Sequence, residues 1–178
     1  MTRLITITLS ILLFCSCGSG LQVRKSKVQP LTPLFSATIA NVPYKISPEK
    51  EFGKDHHELL TILHETKGNI DSVNVFFNSN KQLTIAFKYK GKEFTKTYEG
   101  RFSKKGYYEF YLQKKKIEIP PIVPILYSKV HIERYRLGLT IDGDLIVDNF
   151  NENSGNFFIL SAGYQYRHQT FYKCARTN

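Results

Sequence analysis

From residue 72 to the C-terminus the apolar residues of this chain recur at every second position. A period of two is the signature of strands with one buried face, and it excludes a helical bundle. Leu83, Ile85, Phe87 and Tyr89 alternate with Thr84, Ala86, Lys88 and Lys90. Phe94, Tyr98 and Phe102 share one parity, and Tyr108, Phe110 and Leu112 line up in the next run. Tyr135, Leu137, Leu139 and Ile141 repeat the pattern and are answered by Leu145 and Val147. Turn residues separate the runs: Asn78-Ser79-Asn80, Gly91, residues 103–106, and Asp142-Gly143, which predicts a two-residue type I′ hairpin. Pro120, Pro121 and Pro124 cannot donate to a central ladder and mark an edge or a crossing connection. Residues 149–155 read as a polar loop. Residues 157–171 read as one long strand or two short ones, with Phe158, Leu160, Ala162, Tyr164 and Tyr166 in one parity.

One helix precedes these strands, over residues 55–67. Asp55 is its N-cap and Glu58 follows at capping-box spacing. Leu59, Ile62 and Leu63 form its apolar stripe, Leu60 widens it, and Gly68 supplies the left-handed stop. The fold class is therefore mainly β. One short N-terminal helix leads into an antiparallel meander of about seven to nine strands, forming a small barrel or sandwich. Short consecutive hairpins favour an up-and-down order. A helix followed by a meander is similar in topology to the lipocalin-like, or calycin, barrels. The Gly-x-Trp motif of that family is absent, since the chain has no Trp.

The N-terminus carries an address. Arg3 is followed by Ile-Thr-Ile-Thr-Leu-Ser-Ile-Leu-Leu-Phe-Cys-Ser-Cys over residues 5–17 and then by Gly18-Ser19-Gly20. A charged start, a short apolar core and small residues at the end make a secretory signal. Crossing a bilayer takes roughly 20 apolar residues, more than this run supplies. Ser16 before Cys17 resembles the lipobox of bacterial lipoproteins, with Phe14 where the pattern usually has Leu. The resemblance implies that Cys17 becomes the acylated first residue of the mature protein. It implies a place in the cell envelope, on the non-cytoplasmic side, in the outer membrane if the source is Gram-negative. The expected organisation is a signal peptide at 1–16, a flexible tether at 17–30 and one β-rich domain at 31–178.

With 25 Lys and Arg against 15 Asp and Glu the chain is strongly basic, and residues 81–116 concentrate that charge, eleven bases against Glu93, Glu99 and Glu109. Outside the cytoplasm this balance points away from nucleic acid. It suits the membrane surface, anionic envelope polymers or another envelope protein. Tyr107, Tyr108 and Tyr111 beside Lys104, Lys105, Lys114, Lys115 and Lys116 form the aromatic-basic candidate for anion binding. The bland alternative is a solvated face in which lysines blunt strand edges. Chemistry is sparse elsewhere. His56, His57 and His64 lack the spacing of a metal motif and read as solvent-facing. Asp142, Asp144, Asp148 and Glu152 fail the spacing of a calcium loop and read as hairpin acids. Cys174 has no partnered base, and no Ser sits in a nucleophile elbow. No pattern calls for a cofactor or a metal, and no enzyme is expected. The functional expectation is a non-enzymatic envelope lipoprotein that presents a basic β domain for binding or assembly. The alternative is a carrier holding a small apolar ligand inside the barrel, lined by Phe87, Tyr98, Phe110 and Leu139.

Overall fold

The computed structural model describes residue 21 and residues 23–48, 57–63, 65, 70–119, 127–157 and 160–175. Among these, eleven strands and one turn of α-helix follow a 3-10 turn at Lys25–Lys27. They run β1 Val28–Gln29, β2 Ser36–Ala40, β3 Lys45–Ser47, α1 Leu59–Ile62, β4 Ser72–Ser79, β5 Gln82–Tyr89, β6 Lys92–Phe102 and β7 Tyr108–Ile119. After these come β8 Tyr127–Thr140, β9 Leu145–Phe157, β10 Leu160–Tyr172 and β11 Cys174–Ala175. All lie in one antiparallel sheet whose order is β11-β2-β4-β5-β6-β7-β8-β9-β10-β3, with β1 added to the end of β8. The stretch β4 to β10 is the expected up-and-down meander.

The sheet turns a corner in β6. Residues 92–99 pair with β5, and residues 100–102 pair with β7. Gly100 makes that change of partner sterically feasible. A Cβ there would overlap the Glu109 carbonyl oxygen and lie 2.8 Å from the Tyr108 ring. Curvature then wraps the strands around one core. Ile39, Val73, Val75, Leu83, Ile85, Phe110, Leu137, Leu145 and Val147 face it from the sheet, and Leu59, Leu60 and Leu63 of the α1 segment fill it.

The sheet is not closed into a barrel, contrary to one of the expected architectures. The ends of its path, β11 and β3, continue β10 and β2, and these two arms run side by side. Ala40 N–H donates to Lys173 O and Tyr44 N–H donates to Phe171 O at 2.9 Å each. Between them the ladder is interrupted over residues 41–43, where Pro43 has no N–H and Asn41 is diverted inward. Asn41 O accepts from Leu59 N–H and its Oδ1 accepts from Leu60 N–H at 3.0 Å, while Nδ2 donates to Glu58. A strand-end Asn thus caps α1 from afar. Glu58, at the N-cap position, makes no side-chain cap bond, and Asp55 and Gly68 lie outside the described residues.

Three expectations of local structure need correction. Residues 149–155 are strand and not loop: Asn149, Asn151 and Asn153 are poor strand formers, but β8 and β10 pair with them on both sides. The strands also exceed the expected number, and β8 reaches 14 residues. The two-residue I′ turn falls at Lys90-Gly91, where φ is 50° and 77°. At Asp142-Gly143 only Gly143 has positive φ, 84°. There Gly143 N–H donates to Thr140 O and Thr140 N–H donates to Asp144 O, a three-residue loop ending in a glycine bulge. Residues 103–107 repeat the pattern, with Gly106 at φ 81°.

Candidate binding face

Beyond the last core residues of β7 to β10, the four strands continue as an extension, residues 113–119, 127–132, 152–157 and 160–166, with no core cluster beneath it among the described residues. Pairing fixes which side chains share a face, because cross-strand partners point the same way. A bulge between Tyr111 and Gln113 resets β7, so that Gln113, Lys115 and Ile117 follow Phe110 onto the inner face. On the inner face a boundary row of Gln113, Glu133, Asn151 and Tyr166, with Glu133 and Asn151 buried, leads into two rows of the extension: Lys115, His131, Asn153 and Tyr164; Ile117, Lys129, Gly155 and Ala162.

An aromatic ladder runs along this face. Tyr164 and Tyr166 are parallel within 9° at 6.1 Å, and Tyr166 and His168 within 12° at the same spacing. His168 meets His57 edge-on at 4.9 Å, closing the ladder against the core. His57 is therefore buried, not solvent-facing as its sequence context suggested, and Tyr172 donates to its carbonyl at 2.6 Å. His56 and His64 lie outside the described residues. Burial, with the Glu133 carboxylate nearby, holds the Tyr166 hydroxyl above the usual tyrosine range. Tyr164 is 55% exposed and Leu160 71%. A shallow cleft of about 530 Å³ lies at this end of β8 to β10, lined by residues of both parities, among them Lys129, Asn153 and Tyr164 of the inner face and Ser128, Ser154 and Gly163 of the outer.

The opposite face of the same strands is internally paired. Arg136 Nε donates to Glu109 Oε2 at 2.8 Å, with Arg101 and Arg134 on the same carboxylate at 3.3 and 3.9 Å. Asp148, with no exposure, accepts from Arg167 at 2.7 and 2.9 Å and from Gln169 at 3.0 Å. Asp144 pairs with Lys173 at 2.8 Å. Of the four acids weighed as a calcium loop, two are thus committed to cations of the chain.

The sequence-derived candidates separate in space. Phe87, Tyr98, Phe110 and Leu139 all belong to the packed core. Tyr98 lies 5.0 Å from Phe110, Phe110 stacks on Tyr135 at 5.4 Å, and Phe87 stacks on Phe94 at 5.6 Å. The five lysines do not form one patch. Lys104 and Lys105 occupy the turn before β7 and border a cleft of about 740 Å³ with Leu21, Val23, Pro30 and Tyr107. Lys114, Lys115 and Lys116 lie six to eight residues into β7 from Tyr108, roughly 20 Å or more from that turn at strand rise. Alternation splits them further, since only Lys115 is on the inner face, and Lys114 lies over the Tyr111 ring at 5.0 Å. Tyr107 and Tyr108 are buried. Burial pushes the Cys174 thiol up to about 11, which suits a packing role and not a nucleophile. Cys17 lies outside the described residues, and β1 ties the described end of the 17–30 segment to β8 through Val28 and Gln29.

Sequence reasoning passed over Lys129, His131, Asn153 and Tyr164 as a group. Their parity was legible, but the period of two gave no sign that the strands outrun the core. The chain matches no protein-family model, and no curated protein or solved structure matches it.

Proposed function

We propose that this chain is a non-enzymatic lipoprotein of the cell envelope, acyl-anchored through Cys17, whose β domain binds an anionic envelope polymer along the inner face of the β7–β10 extension. The address rests on the signal-like residues 1–17. The binding reading is carried by one observation: the row Lys115, His131, Asn153 and Tyr164, flanked by Tyr166 and Lys129, on a sheet face that packs on no core cluster among the described residues. Tyrosine rings offer flat apolar faces with a polar edge, which suits a sugar ring. Asparagine amides can meet its hydroxyls, and Lys115 and Lys129 its carboxylates or phosphates. The carrier alternative has less support, because its four lining residues pack against core neighbours.

Titrating the full chain in detergent with a uronic-acid polysaccharide, and with a neutral glucan as reference, tests the binding. Binding should favour the acidic polymer and weaken between low and physiological salt. Tyr164→Ala, or Lys115→Glu with Lys129→Glu, should reduce it, whereas Lys104→Glu with Lys105→Glu should not. Equal binding to both polymers, or indifference to the inner-face changes, would refute this assignment. The anchor has its own test: Cys17→Ser should release the protein from membranes or leave it unprocessed, since stable attachment needs more than one acyl chain.

A further inference from the structure

The extension has two lateral edges, and they are built differently. Among the described residues, β6 pairs with β7 only through Tyr108, Glu109 and Phe110, and β3 pairs with β10 only through Gln169, Thr170 and Phe171. Among the described residues the distal parts of β7 and β10 are thus both edges of the sheet. The β7 edge has two of the devices that deter edge-to-edge pairing, a bulge at residues 111–113 and three consecutive lysines. The β10 edge has neither. Residues 160–166, Leu-Ser-Ala-Gly-Tyr-Gln-Tyr, carry no charge and no proline, every one is exposed, and their ladder to β9 is unbroken.

We propose that residues 160–166 of β10 pair antiparallel with the same residues of a second copy, about a two-fold axis at Gly163. This goes beyond the binding reading, using the strand edge and not the sheet face. Phe171 O accepts from Tyr44 on the β3 side. In the unbroken ladder the other odd-numbered residues therefore aim their N–H and C=O groups to that side too. Ser161, Gly163 and Gln165 then exchange about six backbone hydrogen bonds with their counterparts. Side chains fit in the same register. Tyr164 falls opposite Ala162 of the second copy and Tyr166 opposite its Leu160, a large residue against a smaller one each time. On the other face Ser161 meets Gln165, and Gly163 at the centre brings no side chain.

Charge selects this edge for a basic chain. Pairing through β10 puts both lysine-bearing β7 strands on the outside of an eight-strand ribbon. At about 4.8 Å per strand they stand roughly 34 Å apart, several times the Debye length of about 8 Å. Pairing through β7 would instead set Lys114, Lys115 and Lys116 of both copies against each other.

Light scattering with sedimentation of the full chain in neutral detergent, over a concentration series, reads the association. The parent should pass from monomer to dimer. Ser161→Lys with Gln165→Lys places like charges directly opposite twice in the interface, and should weaken the dimer by roughly tenfold or more. Ser161→Glu with Gln165→Lys sets each Glu opposite a Lys of the other copy and should restore it. Both positions are exposed, so circular dichroism melts should match the parent. A folded parent that stays monomeric would overturn the proposal. So would a dimer indifferent to the lysine pair, or one that the opposite-charge pair fails to restore.

Discussion

Glu109 shows how a single residue holds the outer face of the sheet. Burial alone would push its carboxyl up, but Arg136, with Arg101 and Arg134, outweighs burial and holds it below the usual carboxylate range. A carboxylate depressed by folding stabilises the native state above its unfolded value near 4.5, and that contribution is lost as pH falls through the lower folded value. Glu109→Gln removes this carboxylate from Arg136, which is only 4% exposed. Breaking a buried pair from one side costs about 3 kcal/mol, so urea unfolding at neutral pH should show a loss of that order. The difference between parent and variant should shrink as the pH is lowered below 4.5. The buried tyrosines belong to the same scale. Tyr135 accepts from Asn149 Nδ2 at 2.9 Å and bonds with Glu133 at 2.7 Å, and Tyr108 donates to Lys81 O at 2.8 Å. Burial raises the hydroxyl of Tyr108 to about 12, so neither solvent nor mild base competes for its proton.

At the level of elements, the loops rather than the strands carry the conformational demands. Gly143 sits at φ 84° with only the Gln29 side chain near its missing Cβ, at 3.8 Å. Space is therefore not the constraint there, but backbone conformation is. Gly143→Val forces a β-branched residue into the left-handed region and should cost about 1–3 kcal/mol in denaturant unfolding. A cost near zero would mean that the β8–β9 loop had rearranged. The capping of α1 belongs to this scale too. One turn of helix is far too short to be stable alone. It persists because Leu59, Leu60 and Leu63 are buried and because Asn41, 18 residues before Leu59 in sequence, receives its first N–H groups.

Among the described residues the molecule divides into a wrapped core and an extension beyond it, and its stability should divide the same way. Native-state hydrogen exchange should be slowest at Val73, Val75, Leu83, Ile85, Tyr135 and Val147. It should be markedly faster in residues 113–119, 127–132, 152–157 and 160–166, which bury few apolar neighbours. Uniform protection across β8 to β10 would contradict this division. The sequence by itself determined the strand period, the meander order and the inward parity of Leu83, Ile85, Phe110, Leu137 and Val147. Alternation and turn residues are local, and one buried face imposes them on the sequence. It also marked the leucines of α1, because four apolar residues in five can scarcely avoid the interior. Only the tertiary structure decided that His57 is buried, that Asn41 caps α1, that Gly100 turns the sheet and that the five lysines part into two groups. Each depends on what lies across from a residue far away in the chain. The extension is the clearest case. Leu160, Tyr164 and Tyr166 have the parity and composition of core residues, and they are exposed because the strands that face the core elsewhere end before reaching them.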